Sequence, residues 1–216
     1  MKTGLSFQKI LLVFFAFIAA MIIVRFVISG EHRFIFLVWN LFLAWIPFAI
    51  SKSFYSMHKE DCWKQVLLLF VWFIFLPNAL YVVTDLIHLD MESAVPKWYD
   101  ALLLFSCSIL SLFMAFISLL RAERFLLSKF SERVVSIIMP AILFFGSFGV
   151  YLGRFLRWNS WDVISNPLSL GYSIAERFIF PFRHFHTWSI TILFTTVFYL
   201  LYHAAKKLPG YLHQAT

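Results

Sequence analysis

Two short segments of this 216-residue chain carry residue types able to do chemistry, at spacings that group them. The first runs from Leu76 through Pro77, Asn78, Tyr81, Thr84, Asp85 and His88 to Leu89. At 100° per residue, Asn78, Tyr81, Asp85, His88 and Glu92 fall within an arc of roughly 80° if the segment is helical. Asp and His on one face suit proton transfer, with His titrating near neutral pH. Pro77 removes a donor from the helix, so carbonyls of the preceding turn need another partner, and Asn78 or a water can serve. A plainer reading makes Asp85 and His88 a polar helix end that meets water.

The second segment is Tyr151-Leu-Gly-Arg-Phe-Leu-Arg-Trp-Asn-Ser-Trp-Asp162, followed by Asn166-Pro167. Arginine offers a planar fork suited to carboxylate or phosphate. Gly146, Gly149 and Gly153 precede it at helical spacing and allow another helix to come close. If the helix continues, Arg157, Trp161 and Asp162 prolong the glycine face, with Arg154 and Trp158 beside it. The expected site therefore has Asp85, His88, Arg154, Arg157 and Asp162 as catalytic candidates. Asn78, Tyr81, Trp158, Asn159, Trp161 and Asn166 are the substrate-binding candidates. Interfacial anchoring by Trp and Arg is the competing account of the second segment. Beyond it, His184 and His186 are spaced to reach a metal from extended backbone, and Asp85 with His88 completes a ligand count suited to a divalent ion such as zinc. No other cofactor is indicated. The chain has no His-Glu-x-x-His, Gly-x-Ser-x-Gly, phosphate-loop or dinucleotide fingerprint.

What must position these residues follows from composition. Apolar residues make up 62% of the chain and charged residues 13%, with 28 Phe. A soluble domain has roughly 45–50% and 25%, so too few polar side chains remain to cover a surface in water. The net charge of +7 is spread over separate loops, which excludes a nucleic-acid-binding face, and two cysteines exclude a disulfide scaffold. The predicted fold is all-α: a polytopic membrane helix bundle forming a single domain over residues 1–216. A span needs about 20 apolar residues. Six runs approach this: Ile10 to Ile28 with Arg25 near its end, Phe34 to Ile50 holding Asn40 and Pro47, Val66 to Val83, Ala101 to Leu120, Val134 to Leu152 and Trp188 to Tyr202. A secretory leader is the alternative for the first run, but its apolar stretch is longer than such leaders carry. Asn166 and Pro167 suit the N-cap and first position of a short interfacial helix that roofs the site, ended by Pro181.

Lys and Arg favour cytoplasmic loops. With the N-terminus inside, eleven of the 18 lie on the cytoplasmic side and seven outside, which places both termini in the cytoplasm and the loops 84–100 and 153–187 together on the outer face. Cys62 then lies in a cytoplasmic loop and Cys107 within a span, so no disulfide joins them.

The two segments quoted resemble the signatures of a bacterial multi-pass membrane family catalogued as domain of unknown function thirteen sixty-one, over most of the chain from the second span to the last. The resemblance implies a bacterial inner-membrane protein and supplies no activity, substrate or cofactor. Three functions stay open on the residues: an enzyme whose Arg154 and Arg157 hold an anionic lipid or lipid-linked substrate, a binding, accessory or transport subunit without chemistry, and a structural protein with a buried ion pair. The expected partners are the bilayer and an anionic lipid headgroup.

Overall fold

The computed structural model describes residues 6–55, 62–90 and 95–214, and among these all regular structure is helical. The long elements are α1 (Phe7–Ser29), α2 (Phe36–Lys52), α3 (Cys62–Tyr81), α4 (Lys97–Leu127) and α5 (Glu132–Leu156). A one-turn α6 (Asp162–Ser165), a surface helix α7 (Pro167–Ile179) and a long α8 (Phe185–Gln214) complete the chain. All six apolar runs are helices. Five of these stretches are long and apolar enough to cross a membrane, with α3 counted together with its continuation to Leu89, while α2 is a shorter apolar helix of 17 residues. At a rise of 1.5 Å per residue α2 spans about 25 Å. The chain has the character of a multi-pass membrane protein.

α4 is the most buried span and the hub of the bundle. α1, α2 and α3 pack around it, α5 packs on α3, and α8 packs on α5. Between helices in lipid the apolar faces gain little from leaving solvent, because lipid tails are equally apolar; close packing and hydrogen bonds supply the specificity. The serines of α4 show this. Ser111 donates to the carbonyl of Ala79 at 2.6 Å and Ser108 to that of Val82 at 3.3 Å, while Ser118 accepts from the Trp72 indole at 2.5 Å and donates to the Pro47 carbonyl at 3.3 Å.

The glycine face packs as its spacing predicts, against a slightly different set of partners. A Cβ on Gly146 would meet Leu80 at 3.3 Å, one on Gly149 would lie 2.6 Å from Pro77 Cγ, and one on Gly153 would lie 3.4 Å from the Tyr81 ring. Pro77, Leu80 and Tyr81 are what the glycines admit; Asn78 and Asp85 turn to other neighbours.

Two helix ends decide the geometry of the polar residues. After Tyr81 the chain tightens into a 3-10 segment over Val82–Asp90. Such runs rarely exceed three or four residues. Three residues per turn puts Val82, Asp85 and His88 on one row, so Asp85 and His88 of the predicted stripe keep a common face, while Glu92 lies outside the described residues. At the other end, α5 stops at Leu156 because Arg157 adopts a left-handed conformation, φ 62°, and the N–H groups of Arg157 and Trp158 both return to the Leu152 carbonyl. The expected prolongation of the glycine face through Arg157, Trp161 and Asp162 therefore does not occur. α7 forms between Pro167 and Ile179, with Asn166 at its N-cap position but without a capping side-chain bond.

Candidate functional site

The polar residues of α3 and its 3-10 continuation converge on Arg154, in the last turn of α5. Arg154 Nη2 lies 3.1 Å from Asp85 Oδ1 and also donates to the Thr84 carbonyl. Its Nη1 donates to the Tyr81 hydroxyl at 3.0 Å and lies 3.3 Å from His88 Nε2. A guanidinium has no acceptor, so that histidine nitrogen accepts and its proton sits on Nδ1. The Arg154 carbon lies 5.1 Å from the centre of the Tyr81 ring, a cation–π distance. Four of the five N–H groups thus have acceptors, and the fifth, on Nε, is buried without one.

Asp85 is fully buried. Its second oxygen accepts from Asn40 Nδ2 of α2 at 2.8 Å. One carboxylate thereby ties the 3-10 segment to α2 and, through Arg154, to α5. Asn40 was legible only as an amide interrupting an apolar run; in lipid such a group needs a partner, and that requirement was the available signal. His88 packs its ring edge-on against Phe36 of α2, centroids 5.0 Å apart.

A second ion pair lies at the same end of the bundle. Arg25 Nε is 2.8 Å from Asp100 Oδ1, both side chains being almost fully buried, and Tyr99 donates to the Met21 carbonyl at 2.9 Å. Asp100 thus goes to α1 and leaves the arginines of α5 to Asp85.

The remaining candidates separate into two groups. Trp158, half-buried, and Asn159, exposed, line a cavity beside the cluster, whereas Arg157 is exposed at the α5 terminus and Asp162 serves its own turn. Asp162 accepts from the backbone N–H of Asn159 at 2.7 Å and from Ser165 Oγ at 2.9 Å, and the Asn159 bond first of all holds its carboxyl below the usual carboxylate range. It is a turn-stabilising residue, placed away from Arg154 by the end of the helix at Leu156. Trp161 packs edge-on against Trp39, centroids 6.3 Å apart. Asn166 is exposed at the start of α7. Glu92 and the side chain of Asp90 lie outside the described residues.

The histidines do not complete a metal site. His184 Nε2 lies 3.5 Å from Glu176 Oε1 on α7, and His186 packs edge-on against Phe155 at 5.6 Å. His88 and Asp85 are occupied with Arg154. Among the described residues, no three His, Cys, Asp or Glu side chains gather closely enough to hold a metal ion. The two cysteines are free, Cys62 exposed and Cys107 buried.

Beside the Arg154 cluster, and sharing Tyr81 with it, lies a cavity of about 250 Å³ between α3, α5 and α7. Its walls are apolar: Phe73, Ile74 and Pro77 from α3, Phe145, Phe148 and Leu152 from α5, and Leu170, Ile174 and Phe178 from α7. Asn78, Tyr81, Trp158, Asn159 and Ser160 supply its polar groups. Side chains do bond carbonyls of the turn before Pro77: Asn78 Nδ2 donates to the Phe75 carbonyl at 3.1 Å and Ser160 Oγ to the Ile74 carbonyl at 2.9 Å, although the carbonyl that loses its helical donor to Pro77 is that of Phe73. Ser160 also accepts from Asn78 Nδ2 at 2.7 Å. Ser160 was not among the expected residues, because nothing in its spacing shows that the loop after α5 folds back onto α3.

None of the curated proteins and none of the solved structures matches the chain. A family model does match, over residues 39–201, which contain α3, α5, α7 and the cavity between them. The chain belongs to the family described as Protein of unknown function (DUF1361).

Proposed function

We propose that this protein is a non-catalytic membrane binding subunit whose cavity between α3, α5 and α7 receives the apolar chain of a lipid or lipid-linked molecule, while the Asp85–Arg154 pair holds the helices that form it. The observation that carries this reading is the division of labour at Tyr81. On one side the charges are spent on one another: Asp85 is fully buried with both oxygens bonded, and Arg154 offers no free N–H at the surface. A general acid or base must come within hydrogen-bond reach of its substrate, directly or through one water. Asp85 has no such access. On the other side is an apolar space in a bundle whose surroundings are hydrocarbon, so the molecules at hand to fill it are lipids.

The eleven-to-seven division of Lys and Arg supports an orientation with the cavity at the extracytoplasmic side of a bacterial inner membrane and both termini in the cytoplasm. α7 then lies as a roof in the headgroup layer. Its Leu170, Ile174 and Phe178 face the cavity while Leu168, Tyr172 and Ile179 are exposed on the far side, a pattern suited to the membrane interface.

The test is photocrosslinking with a diazirine-bearing lipid in nanodiscs. Labelling is expected on α3 and α5 peptides around Pro77 and Gly149, and Ile174→Trp, which fills the cavity from α7, should abolish it without lowering folded yield. Labelling confined to the outer faces of α1 and α8, or unchanged by Ile174→Trp, overturns the reading.

A further inference from the structure

We infer that the occupant of this cavity ends in a neutral hydroxyl: the site is built for a single-chain lipid alcohol, and this assignment rests on the lipid-chain reading above. The argument starts from the orientation of Asn78. Both hydrogens of its Nδ2 are used, one on the Phe75 carbonyl and one on Ser160 Oγ, which must accept because its own hydrogen goes to the Ile74 carbonyl. Asn78 Oδ1 is therefore an acceptor with no donor among the described residues, on a residue that lines the cavity. Three residues on, Tyr81 also lines the cavity, and its hydroxyl accepts from Arg154 Nη1 at 3.0 Å. Its hydrogen finds no acceptor among the described residues and remains free to donate. Residues three apart on a helix are neighbours on one face. Two neighbouring residues of the wall thus carry one acceptor and one donor, the complement of a hydroxyl, which both donates and accepts.

Charge and size narrow the class further. An anionic head would need a cation, but Arg154 is compensated by Asp85 and does not line the cavity. The exposed Arg157 stands at the carbonyl end of α5, where the helix dipole is negative, and Asp162 follows in the same loop. Arg177 of α7 does not line the cavity either: its Nη1 donates to the Ser173 carbonyl and lies 3.8 Å from Glu176 Oε2. A cavity of about 250 Å³ exceeds the roughly 150 Å³ that takes one benzene ring and falls below the roughly 300–1,000 Å³ of drug-sized pockets, so it suits one chain segment.

The experiment uses the full chain in nanodiscs with three probes of equal chain length carrying a mid-chain diazirine: hexadecanol, hexadecyl phosphate and hexadecane. The alcohol is expected to label the Phe73–Tyr81 and Phe145–Gly153 peptides about three- to tenfold more than either analogue, the worth of one or two net hydrogen bonds. Tyr81→Phe keeps the ring against Gly153 and removes only the donor, so it should bring the alcohol close to the hydrocarbon. Asn78→Leu should do the same. If Asn78→Leu does not fold, Tyr81→Phe decides alone. Equal labelling by all three probes overturns the hydroxyl assignment and leaves chain binding standing. Preference for the phosphate overturns it in favour of an anionic head. Absence of cavity labelling by any probe overturns both readings.

Discussion

The Asp85–Arg154 pair allows a prediction that goes beyond its existence, because its two members are not equally exposed to loss. Arg154→Ala leaves Asp85 fully buried with Asn40 as its one remaining donor. An uncompensated buried charge of this kind costs about 3–5 kcal/mol. Asp85→Ala leaves Arg154 with the Tyr81 hydroxyl, His88 Nε2 and the Thr84 carbonyl, and with a side chain still 13% exposed. The loss is then that of hydrogen bonds to a charged group and an orphaned Asn40 amide, about 1–3 kcal/mol. The arginine variant should therefore be the less stable by about 2 kcal/mol, and the double variant more stable than Arg154→Ala alone, since it removes the stranded carboxylate. At about 2–4 °C per kcal/mol for a chain of this length, the single variants should differ by roughly 4–8 °C in melting temperature. Intrinsic-fluorescence melting of detergent-purified protein reads this directly, and high salt should change it little because buried pairs are weakly screened. Equal destabilisation by the two single changes, or a double variant that equals their sum, would refute the asymmetry and with it the description of Asp85 as dependent on Arg154.

Three further outcomes are expected. Gly149→Ala places a Cβ 2.6 Å from Pro77 Cγ and should destabilise by about 1–3 kcal/mol, whereas Gly171→Ala, with nothing within 4 Å, should be neutral or gain about 0.5–1 kcal/mol; thermal melts of both variants compare them. Arg157→Gly relieves a left-handed backbone at φ 62° and should hold or raise stability, while Arg157→Val should lower it by about 1–2 kcal/mol in the same assay. Asp162 has a folded value below the ordinary aspartate value of 3.8, so its contribution is present above that value and lost as pH falls through the lower, folded one. Amide exchange at Asn159 should accelerate in that acid window, and Asp162→Asn should remove the pH dependence.

Much of this protein was legible before folding. Sixty-two per cent apolar residues and six apolar runs, charged only at Arg25, determine an all-α membrane bundle, because hydrocarbon permits only helices or closed barrels and these runs show no strand alternation. The same physics marks Asp85 and the arginines at the end of α5 as residues that need partners, and the three glycines as a place for close approach. Partner choice was legible in part: opposite sign and a shared side point Asp85 to Arg154 or Arg157, and Arg154 is the one that pairs. That Asp100 goes to Arg25 depends on which helices surround α4 and at what height. The end of α5 at Leu156 was equally hidden. A left-handed non-glycine residue has no sequence signature, and that single turn removes Arg157 and Asp162 from the cluster. The cavity belongs wholly to tertiary structure, since Ser160 reaches the Ile74 carbonyl only because the loop after α5 folds back onto α3, bringing walls from three helices around one space.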